Sequence, residues 1–209
     1  SLHDALPISR VKTVRPSLIS SATVLPSRAP SITAALISLR DDPAVQVVAI
    51  RGCNKLGKPG TPESLFGGFC AGGDIRFFHQ AALAGDPVLD AFFTEEYSLN
   101  HLIQCYPKPF IAIMDGVVMG GGMGLFVGAS HRVVTDTTRA AMPEITIGLF
   151  PDVGGSWFLP KLPGKAGLFA ALTGAQLNGA DLLAAGLADH GLRQADRETV
   201  LAALSRVDW

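Results

Sequence analysis

The fold is decided by the stretch Phe110-Ile-Ala-Ile-Met-Asp-Gly-Val-Val-Met-Gly-Gly-Gly-Met-Gly-Leu125. Its first five residues have the length and composition of a buried strand, and a helix is predicted from about Gly121. A strand that enters a helix through glycines leaves N–H groups free at the helix N-terminus, where the helix dipole favours negative charge. A second glycine pair, Gly72-Gly73, stands in a similar loop. Two converging N–H donors would form an oxyanion hole, so this pattern indicates acyl chemistry.

Strand and helix patterns alternate along the rest of the chain. Apolar runs predict strands, and longer amphipathic or Ala/Leu-rich runs predict helices. This alternation predicts an α/β fold with its site at the strand ends. The predicted strands are Val45–Ile50, Phe110–Met114 and His131–Thr135. The predicted helices cover a short run from Ala34, Asp86–Tyr106, a run from Gly121, Lys165–Thr173, Gly179–Gly186 and Asp196–Leu204.

Composition excludes several classes of function. The 209 residues suffice for one domain with a core, and 48% of them are hydrophobic. The formal net charge is −1, with both signs scattered, so neither nucleic acid nor an anionic membrane is expected as a partner. No apolar run approaches the roughly 20 residues that span a bilayer.

Cysteine and histidine spacing argues against a metal site. Cys53, Cys70 and Cys105 show no CxxC pair and leave an odd thiol, which indicates a reducing compartment. We expect a bacterial-type cytoplasm, or the mitochondrial matrix if the source is eukaryotic. The histidines have no HExxH spacing, and we expect neither a metal nor an organic cofactor.

Three acidic residues are candidates for chemistry. Glu144 is flanked by proline and apolar residues, where burial would raise its pKa toward values useful in acid–base catalysis. An N-cap or loop hydrogen bond would also explain it. Asp152 follows Pro151, and an Asx-turn is its simplest local explanation. Glu96 lies mid-helix, where a solvated face is the default.

Other known motifs do not fit the glycine run. A dinucleotide fingerprint starting at Gly120 would need a glycine at Leu125. A serine hydrolase would need Gly-x-Ser-x-Gly, but the sequence around Ser156 is Gly154-Gly-Ser-Trp-Phe158. Taken alone, the glycine run could also be explained by a turn or by close packing of the backbone.

The motifs together resemble one enzyme family. Phe69-Cys-Ala-Gly-Gly-Asp-Ile-Arg76 and the glycine run resemble the crotonase (enoyl-CoA hydratase/isomerase) superfamily. Within it, Met142-Pro-Glu-Ile-Thr-Ile-Gly-Leu-Phe-Pro-Asp-Val-Gly-Gly155 resembles the 3-hydroxyisobutyryl-CoA hydrolases. The resemblance implies a ββα spiral and hydrolysis of a short 3-hydroxyacyl-CoA thioester, above all 3-hydroxyisobutyryl-CoA, in valine catabolism. Coenzyme A would be part of the substrate.

The resemblance also implies roles for particular residues. Gly73 and Gly121 would donate the oxyanion-hole N–H groups, and Glu144 and Asp152 would be the catalytic acids. Glu96 would contact the substrate. Ala71, Ile75 and Arg76 fall where relatives line the path of coenzyme A.

Gly124 is the position that distinguishes a hydrolase from a hydratase in this superfamily. Hydratases of this superfamily carry a catalytic glutamate there, so two-carboxylate addition of water to a double bond is not available in that form. Two alternatives stay open: an enoyl-CoA hydratase or isomerase, and a truncated chain that binds coenzyme A without catalysis.

The ends of the chain depart from the family pattern. The family's opening strand is not readable around Thr13-Val-Arg-Pro16, and we expect the helical region that relatives carry beyond the position of Trp209 to be missing. We therefore expect an α/β ββα spiral that is incomplete at both ends. Residues 1–34 would be atypical, disordered or foreign, and residues 35–209 would form the core. Apolar surface on the helices of 165–186 would be exposed, and a homo-oligomer is left open for the intact parent.

Overall fold

The strands form two mainly parallel sheets. The computed structural model describes residues 11–14, 29–52 and 68–204. In this part of the chain, a five-stranded parallel sheet has the order β1-β2-β4-β6-β9, and a four-stranded sheet has the order β3-β5-β7-β8 with only β8 antiparallel. The strands are β1 Val11–Val14, β2 Val47–Arg51, β3 Gly68–Cys70, β4 Phe110–Met114, β5 Val117–Met119, β6 His131–Thr135, β7 Arg139–Ala141, β8 Leu177–Asn178 and β9 His190–Leu192.

Each turn of the chain contributes one strand to each sheet. β2 and β3, β4 and β5, and β6 and β7 are successive pairs of this kind, and helices connect the turns. The predicted ββα spiral is confirmed. The helices are α1 Ala29–Asp41, α2 Ile75–Ala84, α3 Val88–Gln104, α4 Gly121–Val127, α5 Gly155–Phe158, α6 Ala166–Thr173, α7 Gly179–Ala184 and α8 Arg197–Leu204.

Both faces of the larger sheet are covered. Alternate residues of its central strands, such as Val48 and Met114, belong to the main core between the sheets and helices. The intervening residues, such as Val47 and Ile113, form a smaller cluster against Leu201 of α8. Burial on both faces explains why Val47–Ile50 of β2 and the whole of β4 are continuously apolar rather than alternating in hydropathy.

Element boundaries differ from the sequence expectations where tertiary contacts define them. β2 begins at Val47 rather than Val45, and α1 begins at Ala29 rather than near Ala34. The expectation that the opening strand is missing was wrong, because Val11–Val14 pairs in parallel with β2. Pairing with β2, rather than an apolar pattern in its own sequence, defines β1. The prediction of disorder for residues 1–34 otherwise falls largely on 1–10 and 15–28, outside the described residues.

Apolar side chains are exposed on α6, as expected. Leu168, Phe169 and Leu172 are each more than half exposed, and Leu183 of α7 is 38% exposed. None of the described helices combines the length and the hydropathy that a bilayer-spanning segment needs.

A buried ion pair attaches α8 to the sheets. Arg197, at the first residue of α8, donates to Asp115, which follows β4, and both side chains are almost fully buried. Thr137 also donates to Asp115, at 2.8 Å. Next to this pair, Arg51 of β2 contacts Glu198 at 2.5 Å. The chain's last described helix is therefore attached to the ends of β2 and β4 by charge as well as by packing.

We predict that Arg197→Ala lowers the free energy of unfolding by about 3–5 kcal/mol, because it leaves the Asp115 carboxylate buried without its partner. Urea unfolding followed by circular dichroism measures the change. Arg193→Ala is the matched control, since Arg193 pairs with Asp196 on the surface, and its midpoint should stay close to that of the unsubstituted chain. Equal midpoints for both variants would contradict a structural role for the buried pair.

Candidate active site

Two glycine loops meet at the end of the smaller sheet. Gly72 adopts a φ of +88°, and its Cα lies 3.7 Å from the position that a Cβ would take on Gly121. Gly73 follows in the first loop, directly before Asp74, whose carboxylate caps α2 by accepting the N–H of Arg76 at 2.9 Å. Gly121 is the first residue of α4, where the helix itself supplies no acceptor for the N–H group.

The glycine run makes room for two carboxylates. A Cβ on Gly120 would lie 2.8 Å from Oε1 of Glu144, and a Cβ on Gly121 would collide with Oε1 of Glu96. Gly120 also has a φ of +52°, a conformation that L side chains rarely adopt. Glycine is therefore required at these positions because the two carboxylates approach the backbone closely. The close packing that the sequence left open as an alternative explanation of the glycines is itself a feature of the site.

A cavity of about 180 Å³ lies at this junction. It is bounded by both glycine loops, by α3, and by the segment that follows β7. The lining includes every predicted site residue except Arg76, together with several apolar side chains: Ala71, Gly72, Gly73, Ile75, Phe78, Phe93, Glu96, Gly120, Gly121, Pro143, Glu144, Thr146, Ile147, Leu149 and Asp152.

Glu96 faces this cavity, so the default of a solvated position was wrong. Burial, together with the smaller effects of the charges of Asp152 and Glu144, raises the pKa of Glu96 to about 8. At neutral pH a group with that pKa is largely protonated. Helical periodicity could not reveal this, because the cavity is created by loops distant in sequence.

Glu144 is only 7% exposed and begins a 3₁₀ turn, Glu144–Ile147. Its Oε2 atom is buried, and no partner for it is found among the described residues. Burial raises the pKa of Glu144, and the charge of Asp152 adds to this. The expected burial and the expected direction of the pKa shift are both present.

Asp152 is held by a residue that the sequence did not single out. The hydroxyl of Tyr97 donates to Oδ2 of Asp152 at 2.9 Å. The only cue in the sequence was that Tyr97 directly follows Glu96. After Asp152 the chain turns sharply, and Val153 adopts a φ of +41°, a conformation that is strained for a β-branched residue.

Gly124 faces a space that is already occupied. A Cβ there would lie 2.6 Å from Cβ of Val153 and 2.8 Å from Nδ2 of Asn100. Both polar atoms of the Asn100 side chain are buried without a partner in the described part of the chain. A glutamate at this position could not be accommodated without displacing α3 or the turn after Asp152.

Of the three residues predicted to border the coenzyme A path, two line the cavity and one does not. Ala71 and Ile75 line the cavity, and Ile75 is 51% exposed. Arg76 is exposed in the first turn of α2 and is not part of the lining. Among the described residues, no group of three or more His, Cys, Asp and Glu side chains is arranged to hold a metal ion.

Residues 27–209 match the family model described as enoyl-CoA hydratase/isomerase. The chain belongs to this family. A curated relative from Xenopus tropicalis, named 3-hydroxyisobutyryl-CoA hydrolase, mitochondrial, is 51% identical over 150 residues, which are 72% of this chain and 36% of that protein. One of the same name from Bos taurus is 42% identical over 176 residues, covering 84% of this chain and 42% of the relative. The match to this chain thus spans well under half the length of these relatives.

Solved structures of the family share the fold. An enoyl-CoA hydratase from Rhodobacter sphaeroides has a TM-score of 0.79 at 37% identity, covering 93% of this chain and 55% of its own. A carnitinyl-CoA dehydratase from Mycobacterium thermoresistibile has a TM-score of 0.82 at 37% identity, covering 94% of this chain and 55% of its own. The predicted crotonase-like α/β fold is confirmed.

We predict that Gly124→Ala lowers the free energy of unfolding by about 1–3 kcal/mol, because the added methyl group meets Val153 and Asn100 in a filled space. Gly128→Ala is the control just beyond α4, since a Cβ there would have its nearest neighbour at 3.3 Å. Denaturant titration of both variants measures the difference. A loss no larger for Gly124→Ala than for Gly128→Ala would show that the space can be vacated cheaply.

We predict that Glu96 makes stability depend on pH. Because its folded pKa is about 8 and its ordinary value is 4.5, its contribution is fully present at low pH and is lost as the pH rises through 8. The melting temperature of the unsubstituted chain should therefore fall relative to that of Glu96→Gln between about pH 5 and about pH 9. Thermal melts across this range measure it. Parallel curves for the two proteins would refute the shift.

Proposed function

We propose that the intact enzyme hydrolyses a short 3-hydroxyacyl-CoA thioester, 3-hydroxyisobutyryl-CoA in particular. The observation that carries the proposal is the junction of the two glycine loops with three carboxyl groups, Glu96, Glu144 and Asp152, around one cavity. The names of the relatives from Xenopus tropicalis and Bos taurus support the same reaction. Valine catabolism fits that substrate.

In this proposal the N–H groups of Gly73 and Gly121 stabilise the negative charge that develops on the thioester oxygen. Both residues line the cavity, and the contact between Gly72 and Gly121 supports convergence of the loops. Because they are backbone groups on closely packed loops, they need no reorganisation when the charge develops. Ala71, Ile75 and Arg76 are proposed to border the path of coenzyme A.

Glu144 is proposed to attack the thioester carbonyl or to activate the attacking water. Its unpartnered, buried Oε2 supports this role, since the atom is left for substrate or water. Asp152 would orient Glu144 or water, or protonate the departing thiolate. In the general-base route, water adds to the acyl carbon and the C–S bond breaks. In the covalent route, Glu144 displaces the thiolate to form an anhydride, and water then hydrolyses that anhydride. Both routes give the free 3-hydroxy acid and coenzyme A.

Glu96 is proposed to contact the 3-hydroxyl group of the substrate. A carboxyl group that is mostly protonated at neutral pH can donate a hydrogen bond as well as accept one. The raised pKa of Glu96 supports that behaviour. Its loss should weaken discrimination for the 3-hydroxy group more than it weakens basal hydrolysis.

Hydration of a double bond is the competing reaction, favoured by the names of the structural neighbours. The filled space beside Gly124 argues against it, because a second carboxylate cannot enter from that helix. We propose that the enzyme needs no metal or organic cofactor and binds neither nucleic acid nor membrane, and a homo-oligomer of the intact enzyme stays open. The designation mitochondrial in the names of the vertebrate relatives supports the matrix rather than a bacterial cytoplasm. Residues 35–209 are proposed as the core of the catalytic unit.

The test is release of free thiol from several acyl-CoA thioesters, with hydration of crotonyl-CoA measured in parallel. We expect thiol release from 3-hydroxyisobutyryl-CoA and little hydration. Hydration of crotonyl-CoA without thiol release would overturn the hydrolase proposal. Binding of acyl-CoA without either reaction would instead indicate a non-catalytic binding chain.

We predict that Glu144→Gln lowers kcat for thiol release on the order of a hundredfold or more, because the amide can neither attack nor accept a proton. Transfer of ¹⁸O from labelled water into Glu144 during a single turnover would distinguish covalent attack from general-base catalysis. Turnover close to that of the unsubstituted enzyme would remove Glu144 from the mechanism.

A further inference from the structure

Asp152 lies between two cavities. It lines the 180 Å³ cavity with Glu96 and Glu144, and it also lines a second cavity of about 600 Å³. The second cavity is formed by the later turns of α3 and the segment that includes α5, with Asn100, Gln104 and Trp157 in its walls. Tyr97 lines the second cavity and is not among the residues that line the first. Its hydroxyl therefore reaches Asp152 from the side of the second cavity.

The position of the Tyr97 ring is set by neighbouring rings. Its centroid lies 5.9 Å from that of Phe93, and Phe93 in turn packs 5.5 Å from Phe92, which is buried in α3. The ring is therefore packed on one side and 42% exposed on the other. Since a phenol has one donor, the 2.9 Å contact commits the Tyr97 proton to Oδ2 of Asp152.

The carboxylate of Asp152 has few other means of orientation. The turn around it is tight, with Val153 at a φ of +41° and the N–H of Gly155 bonded to the backbone oxygen of Asp152 at 2.6 Å. These contacts fix the backbone, but they leave χ1 and χ2 of Asp152 free. Among the described residues, the Tyr97 hydroxyl is the hydrogen-bond donor that fixes the side chain.

From this geometry we propose that Tyr97 is a positioning residue: it holds Oδ2 of Asp152 and so directs Oδ1 toward the cavity that contains Glu144. This inference rests on the proposed hydrolase function. Tyr97 acts through Asp152 and does not touch the substrate. Burial raises the pKa of Tyr97, and the hydrogen bond and charge of Asp152 raise it further, so the phenol remains a donor throughout the working pH range.

The chain supplies its own control. It contains two tyrosines, and the hydroxyl of the other, Tyr106, donates to the backbone oxygen of Leu36 at 2.6 Å. Tyr106 packs against Phe110 and lines neither cavity. Tyr97→Phe and Tyr106→Phe thus each remove one hydrogen-bonded hydroxyl and keep the ring, but only the first removes a contact to Asp152.

The first arm of the experiment is kinetic. With 3-hydroxyisobutyryl-CoA, Tyr97→Phe should lower kcat roughly 10- to 100-fold, the equivalent of one hydrogen bond to a charged group, with KM nearly unchanged. Tyr106→Phe should keep the kcat of the unsubstituted enzyme. In an Asp152→Asn background, Tyr97→Phe should have little further effect, because the two residues act as a unit. Equal kcat for the two Phe variants would overturn the inference.

The second arm does not depend on activity. With tyrosine labelled at ¹³Cζ, Tyr97→Phe and Tyr106→Phe each remove one resonance and so assign it, and Asp152→Asn should shift the Tyr97 resonance while leaving that of Tyr106 in place. An unchanged Tyr97 resonance would overturn the inference even if activity falls. If the unsubstituted enzyme releases no thiol, the proposed function fails and the catalytic role of Tyr97 fails with it, whereas a shifted resonance would still establish its hydrogen bond to Asp152.

Discussion

The close approach of two glycine loops is the constraint on which the site depends. Backbone atoms of Gly72 and Gly121 pack without intervening side chains, and the space that a Cβ would take at Gly120 and Gly121 is occupied by the carboxylates of Glu144 and Glu96. Any side chain at these positions would separate the loops or expel an acid. The cavity, its buried carboxyl groups and the backbone N–H groups beside them therefore all depend on the same close approach of the two loops.

The connection between the two sheets brings the glycine loops together at the cavity. The chain passes from the larger sheet to the smaller one at each turn of the spiral, so the segments after β3, β5 and β7 arrive at one place. Covering the larger sheet on both faces requires α8, and the buried pair of Arg197 and Asp115 attaches that helix beside the end of β4. Stability and site geometry thus share the same strand ends.

The close packing of the carboxyl groups determines the electrostatics of the site. Three carboxyl groups around one small cavity cannot all ionise cheaply, and burial together with like charges raises the pKa of Glu96 to about 8. Glu96 is therefore largely protonated at neutral pH, and its carboxyl group can donate a hydrogen bond as well as accept one. The filled space beside Gly124 keeps a further carboxylate out, which distinguishes this arrangement from a pair of glutamates acting on a double bond.

The sequence by itself determined the α/β class, the strands Phe110–Met114 and His131–Thr135, the start of α4 at Gly121, and the burial of Glu144, because local pattern and motif encode these features. The short strands of the smaller sheet, the strand Val11–Val14, the burial of Glu96 and the bond from Tyr97 to Asp152 were decided only by tertiary structure. Their cause is contact between segments far apart in the chain. Periodicity within one segment carries no record of such contacts.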